Sequence, residues 1–176
     1  MINITLIISP STFKKMSQVQ GNVNEDLLIQ LIKDVQINYL RPILGKELYN
    51  EIINEIETNT VTALNEELID NYIIPYIIQR GIYEAIPNLS FKFTNINVGK
   101  MNSENNESAT LEEMIWLRDN VQRQRIVNVK NNLLEFLFDE VNDYPLFEES
   151  KYFKDNITKD NKYSIFIPRD KKKCRR

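Results

Sequence analysis

Residues 24–52 read NEDLLIQLIKDVQINYLRPILGKELYNEI, and the spacing within them decides the class of the fold. Asn24 is a residue type that caps helix starts, Glu25 and Asp26 follow where a first turn favours carboxylates, and Leu27, Leu28, Leu31, Ile32 and Val35 share one helical face. This pattern predicts a helix to about Leu40. Arg41-Pro42 ends or kinks it, because proline brings no N–H and disfavours helix in the residue before it. After Leu44-Gly45 a second helix carries Leu48, Tyr49, Ile52, Ile53 and Ile56 on one side and Glu47, Glu51 and Glu55 on the other. Carboxylates at i, i+4 spacing read first as a solvated or subunit-facing acidic stripe, and only distantly as a metal site.

Upstream, Ile2, Ile4, Leu6 and Ile8 alternate with polar residues, which predicts a short N-terminal strand or extended arm. Pro10 ends it, and STFKKMSQVQGNVN reads as loop with one helical turn near Phe13–Met16. Downstream, a third helix is expected over roughly Asn65–Ile86, apolar around most of its circumference and therefore central. Pro75 should kink or divide it, and Pro87-Asn88 should stop it.

SFKFTNINVGKMNSENNESAT, Ser90–Thr110, then departs from the helical pattern. Phe91 and Phe93 share one strand face, Ile96 and Val98 the opposite parity, so the phase slips at Thr94-Asn95 in a bulge or hairpin turn. Asn102–Ala109 is polar loop. Thr110-Leu111-Glu112-Glu113 fits a capping box opening a long helix to about Asn142. Its ends are apolar (Leu111, Met114, Ile115, Leu117 and Val121; Leu133, Leu134, Leu137, Phe138 and Val141), while its waist holds Arg118, Arg123 and Arg125. Buried ends and an exposed, cationic waist are the expectation. Tyr144-Pro145 ends the helix; Leu146, Phe147, Tyr152 and Phe153 can pack back on it, and KYSIFIP, Lys162–Pro168, reads as a second extended arm.

The reading is thus a mainly α chain: a bundle of about four helices with a long C-terminal helix, a strand or hairpin with polar loop inserted at 90–109, and extended terminal arms. Residues 1–143 form the helical domain and 144–176 an extended C-terminal arm with a basic tail. Isolated short strands are unstable, so they pair with one another or with other chains, the latter by β-augmentation.

Composition excludes much chemistry. The chain has no histidine, which removes the commonest general base and metal ligand, and its one cysteine, Cys174, can form neither an internal disulfide nor a cysteine zinc site. A reducing compartment fits. No apolar run reaches the ~18–20 residues that span a bilayer, and MINITLIISP lacks the basic start of a signal peptide. Ser11 and Lys14 match S-x-x-K without the motifs that accompany it in hydrolases, and no phosphate-binding glycine loop is present. No catalytic, cofactor or metal residues are assigned. Residues 169–176, RDKKKCRR, hold six of the 22 basic residues and one of the 25 acidic ones, so the tail carries +5 and the rest of the chain −8. Lys171, Lys172, Lys173, Arg175 and Arg176 are candidates for contact with phosphate or an acidic surface.

Two segments together, residues 24–52 and DNYIIPYIIQRGIYEAIPNLSFKFTNINVGKMNSENNESATLEEMIWLRDNV (Asp70–Val121), resemble the head–tail connector (adaptor, or head-completion) proteins of tailed bacteriophages, especially those of gut Bacteroidales phages, including crAss-like phages. The signature L-R-P-I-L-G-x-x-L-Y-x-x-I, Leu40 to Ile52, carries most of the resemblance, which covers about residues 20–142. It implies a virion structural protein at the head–tail junction: a helical bundle assembled as a ring, usually dodecameric, beneath the portal, with other neck or tail proteins on its far side and double-stranded DNA passing through. It implies no catalysis and no membrane.

Under that reading the candidate subunit or partner contacts are Phe91, Phe93, Ile96, Val98, Lys100, Asn102 and Glu104 of the insertion, Arg118, Arg123 and Arg125 of the waist, and Tyr163, Ile165 and Ile167 of the arm. The alternative is a small helical nucleic-acid-binding packaging or regulatory protein using the waist arginines and the tail, against which the acidic body argues.

Overall fold

A computed structural model of the chain describes residues 5–17, 19, 23–93, 98–100 and 110–160, with backbone alone at 88–93, 98–100 and 156–160. Asn24 accepts the Asp26 backbone N–H at 2.8 Å and opens α2 (Glu25–Val35), which buries Leu28, Leu31, Ile32 and Val35. At Gln36 the helix does not stop. It widens into a π-helical segment, Gln36–Leu40, and continues as α3 (Arg41–Leu44) with Pro42 in its first turn. Arg41-Pro42, expected to end or kink the helix, does not end it. A proline ring crowds the carbonyl four residues back and offers it no N–H; a π turn, bonded five residues back, makes room there. The end comes at Gly45, whose φ of +86° favours glycine and whose added Cβ would lie 2.5 Å from Ser150 Cβ.

The same device recurs. Thr62 caps α5 (Ala63–Leu68), a π segment Ile69–Ile73 follows, and α6 (Ile74–Ser90) completes the third helix. Asn38-Tyr39-Leu40-Arg41-Pro42 and Asn71-Tyr72-Ile73-Ile74-Pro75 are alike in sequence, and each π segment ends two residues before its proline. Helical winding therefore runs through Pro75 without a break, changing only in width at Ile69–Ile73. Pro87, expected to stop it, lies inside α6, where so near the end it costs a single backbone bond.

From Ser90 the chain enters β1 (Phe91–Phe93), which pairs antiparallel with β2 (Val98–Lys100) in the register Phe91↔Lys100, Lys92↔Gly99, Phe93↔Val98. Residues 94–97, where the turn was placed, lie outside the described residues.

Thr110 and Glu113 form the expected capping box, with Thr110 N–H donating to Glu113 Oε2 at 2.8 Å and Glu113 N–H to Thr110 Oγ1 at 3.2 Å. From it run α7 (Leu111–Trp116), a third π segment Leu117–Gln122, and α8 (Arg123–Asp139), one rod on the order of 43 Å long at ~1.5 Å per residue. The rod lies antiparallel to the third helix. Tyr72 stacks on Phe136 with centroids 4.2 Å apart, Gln122 Nε2 donates to the Gln79 carbonyl at 2.9 Å, and Tyr83 Oη donates to Asp119 at 3.3 Å. The hairpin and α7 consequently emerge at one end of the rod, and the connection from α4 (Lys46–Thr58) to α5 lies at the other.

Both termini differ from the extended arms expected of them. Pro10 begins a helix, α1 (Pro10–Met16), rather than ending a strand, and Phe13 from it is fully buried. Residues 5–8 form no strand; buried Gln36 donates to the Thr5 carbonyl at 3.1 Å and accepts the Ile7 N–H at 3.0 Å, tying the segment to its own subunit. At the other end α9 (Pro145–Glu148) and α10 (Lys151–Asp160) replace the first part of the arm expected from residue 144. Phe138, Phe147 and Phe153 meet there with centroids 5.3–5.4 Å apart, the fold-back anticipated for Phe147 and Phe153.

Candidate functional site

The long rod was expected to bury both ends and expose its waist, and the structure reverses this over its first half. Leu111, Ile115, Trp116 and Leu117 are exposed by 53%, 43%, 60% and 46%, and no residue of α7 is buried. The waist instead supplies buried Gln122 and Ile126 to the core, followed by Leu133, Leu134 and Leu137. In an uninterrupted α-helix Ile115, Gln122, Ile126, Leu133 and Leu137 would fall on one line. The π segment holds an extra residue in its turn, so everything before it is rotated by about 100° relative to α8. Ile115 leaves the core line, and Arg118 comes over Tyr83.

Trp116 was missed by sequence reasoning. Its signal was there: Met114-Ile115-Trp116-Leu117 is four consecutive apolar residues, more than one helical face can bury.

The three waist arginines separate. Arg118 is half-buried, its Nε and Nη2 donating to Asp119 Oδ1 and Oδ2 at 2.8 and 3.0 Å, with its guanidinium carbon 5.6 Å from the Tyr83 ring centroid. Its hydrogen bonds hold the Asp119 carboxyl below the usual carboxylate range, and those bonds raise the arginine in turn. Arg123 and Arg125 are exposed and close no salt bridge with a described residue.

The opposite end of the rod has a different character. Val61 and Leu64 are exposed in and beside the connection from α4 (Lys46–Thr58) to α5. Of the acidic stripe on α4, Glu47 and Glu51 are exposed, but Glu55 is buried, correcting the expectation of a solvated face. Its Oε2 accepts the Thr62 N–H at 3.2 Å and Asn65 Nδ2 at 2.8 Å, fixing the turn. Tyr144, just beyond the rod, donates its hydroxyl to the Leu64 carbonyl at 2.8 Å. Burial first, then the charges of Glu67, Asp143 and Glu140, push its pKa up to about 12. Those three carboxylates are exposed and rim the corner.

Of the other candidate contacts, Phe91, Phe93, Val98 and Lys100 lie on the hairpin backbone. Ile96, Asn102, Glu104, Tyr163, Ile165, Ile167, Lys171, Lys172, Lys173, Arg175 and Arg176 fall outside the described residues, as do the whole polar loop Asn102–Ala109 and Lys162–Pro168. Among the described residues no cluster of acidic or cysteine side chains is placed to hold a metal, and no helix is long and apolar enough to cross a membrane. An open cleft of about 740 Å³ lies between the Arg41–Glu47 turn and α10, lined by charges of both signs including Arg41, Lys46, Glu149 and Asp155.

Residues 40–157 match the model of a family described as "Family of unknown function (DUF6712)", and the chain belongs to that family. No curated protein and no solved structure matches it.

Proposed function

We propose that this member of the DUF6712 family is a structural subunit of a tailed-phage neck ring, joining the portal to the tail and forming part of the DNA channel. One observation carries the reading beyond the sequence resemblance: α7 is apolar at most positions and buries none of them. Four of its six side chains are apolar, with Leu111, Ile115 and Trp116 facing water, and a patch of that kind is normally covered, so α7 is completed by another molecule. The hairpin at the same end of the rod, two strands of three residues each, is also too small to be stable without support. In this reading the helices form a bundle of about four with the hairpin and polar loop as an insertion toward a neighbouring subunit. The ring, of twelve copies by resemblance, sits in the virion at the head–tail junction, with portal on one face and neck or tail proteins on the other. The subunit carries no reaction and needs no cofactor.

The test is to mix the purified chain with a tailed-phage portal protein from the same genome and examine the mixture by negative-stain microscopy and mass measurement. Rings seated on the portal are expected. A chain that shows no affinity for portal or neck proteins sinks the reading.

Arg123 and Arg125, exposed and bridged to no described residue, favour one second reading, a nucleic-acid-binding packaging protein. It requires DNA affinity that falls steeply with salt and survives deletion of residues 169–176.

A further inference from the structure

Four side chains from three separate helices form one ladder beside the wide turn of the rod. Tyr39 lies in the first π segment, Gln36–Leu40, Arg80 and Tyr83 lie on α6, and Arg118 lies in the third π segment, Leu117–Gln122. The Arg80 guanidinium carbon stands 3.6 Å from the Tyr39 ring centroid and 4.9 Å from that of Tyr83, and the Arg118 carbon 5.6 Å from Tyr83. Two arginines on one tyrosine repel each other, and a carboxylate answers each: Glu84 pairs with Arg80 and Asp119 with Arg118. The Tyr83 hydroxyl closes the ladder by donating to Asp119 at 3.3 Å. Among the described residues, Arg80 Nε is the one buried side-chain polar atom without a hydrogen-bond partner. That unmet donor is a cost, and the contact with the rings holds the arginine there in spite of it.

The ladder forms in only one setting of the rod. Widening at Leu117–Gln122 turns everything before it by about 100° relative to α8, carrying Ile115 off the core line and Arg118 onto Tyr83 together. Plain α winding would take Arg118 off the Tyr83 ring and Asp119 from its hydroxyl, and would return Ile115 above Ile126. A π turn is the rarer winding, so side-chain contacts made only in that setting must favour it. Just below, Gln122 Nε2 donates to the Gln79 carbonyl and side-chain oxygen at 2.9 and 2.8 Å, which fixes α8 while α7 turns.

We infer that the Tyr39–Arg80–Tyr83–Arg118 ladder is a latch on the α7 surface. Closed, it holds the wide turn and sets the apolar side of α7 toward water. Open, it lets the turn tighten and draws Ile115 in against the third helix. The two windings compete for the same residues, so what strengthens the ladder populates the outward state and what breaks it withdraws the surface. The four ladder residues act as positioning residues and need not touch the molecule that covers α7. The latch belongs to the single subunit; only its effect on association rests on the assembly reading above.

Thiol labelling reads the two settings directly. The test uses the whole chain with its one cysteine removed by Cys174→Ser and Ile115→Cys as reporter, at a dilution where light scattering shows no association. Ile115 is 43% exposed, so a maleimide should label the reporter fast. Arg118→Gln and Tyr83→Leu should slow labelling at least about threefold as the outward population falls. Tyr39→Phe keeps the ring and should label like the parent. Asn131→Cys, exposed on α8, should react at one rate in every background. Loosening of the fold would speed labelling, so a slower reporter separates a latch from mere destabilisation. Arg118 is partly exposed and outside the core, so Arg118→Gln decides the matter even if Tyr83→Leu fails to fold. Labelling of Arg118→Gln at the parental rate or faster, with circular dichroism unchanged, overturns the inference. Slower labelling with undiminished association at higher concentration upholds the latch and removes α7 from the contact. Portal binding decides the neck reading independently of either result.

Discussion

Glu55 Oε2 accepts a 2.8 Å hydrogen bond from Asn65 Nδ2, two buried polar side chains facing each other across the loop between α4 and α5. The same oxygen accepts the Thr62 backbone N–H. Glu55→Ala leaves the buried Asn65 amide and the partly buried Thr62 N–H without that acceptor and should cost about 2 kcal/mol. Glu55→Gln keeps an acceptor and should lose less. Urea denaturation at neutral pH ranks the two, and equal loss would show that the carboxylate geometry is immaterial.

Gly81→Ala sets two effects against each other. Alanine in a helix gains about 1 kcal/mol over glycine. The new Cβ, however, would sit 2.7 and 2.8 Å from Phe13 Cε2 and Cζ, a ring with no exposed surface into which to retreat. Overpacking of this kind costs about 1–3 kcal/mol, so the variant should be net destabilised by about 1 kcal/mol. In a double-mutant cycle Phe13→Leu/Gly81→Ala should lose less than the sum of the single changes, by thermal or urea melts.

Alkaline pH should unfold the chain earlier than ordinary tyrosine titration implies. Burial, opposed by Arg80, pushes Tyr76 up to about 12, and Tyr144 is raised to about the same value. Above pH 10 the unfolded state releases these protons while the folded state keeps them, so the unfolded state binds fewer protons and stability falls as pH rises. The contribution is fully present below pH 10 and is lost by about pH 12. Urea midpoints at pH 8, 10 and 11 should decline, and Tyr144→Phe should flatten the decline while costing about 1 kcal/mol at pH 8 for the lost bond to Leu64.

Trp116 is the only tryptophan in the chain and is 60% exposed, so its emission reports directly on α7. Dilute protein should show the spectrum of a hydrated indole. Emission should move to shorter wavelength as concentration rises, in step with the mass measured by light scattering. A spectrum unchanged through assembly would place α7 outside the contact.

Local signals were legible in the sequence, and phase was not. Asn24 and the Thr110–Glu113 box announced their helix starts because a cap involves residues within one turn. The stripe Leu28, Leu31, Ile32 and Val35 was readable because the helix beneath it is regular. Glu55 and Gln36 were not, since each is buried by partners far from it in sequence: Asn65 for one, Thr5, Ile7 and Tyr49 for the other. The π segments at Gln36, Ile69 and Leu117 escaped because a 3.6-residue template has no place for an extra residue. For the first two, the repeated Asn-Tyr followed by proline was the available clue. Of the three waist arginines, Arg123 and Arg125 are exposed as expected, Arg118 is engaged by Asp119, and exposed Trp116 was passed over.

The wide turn at Leu117–Gln122, rather than composition, decides which way the apolar end of this rod faces. A chain shorter by one residue there would wind as plain α-helix with α7 still turned outward, because the deletion removes the residue that the wide turn absorbs. Only tightening of the turn with its residue count intact would swing Ile115 by about 100° back above Ile126. The outward surface therefore tolerates the loss of a codon at this point and is closed by a change of winding instead.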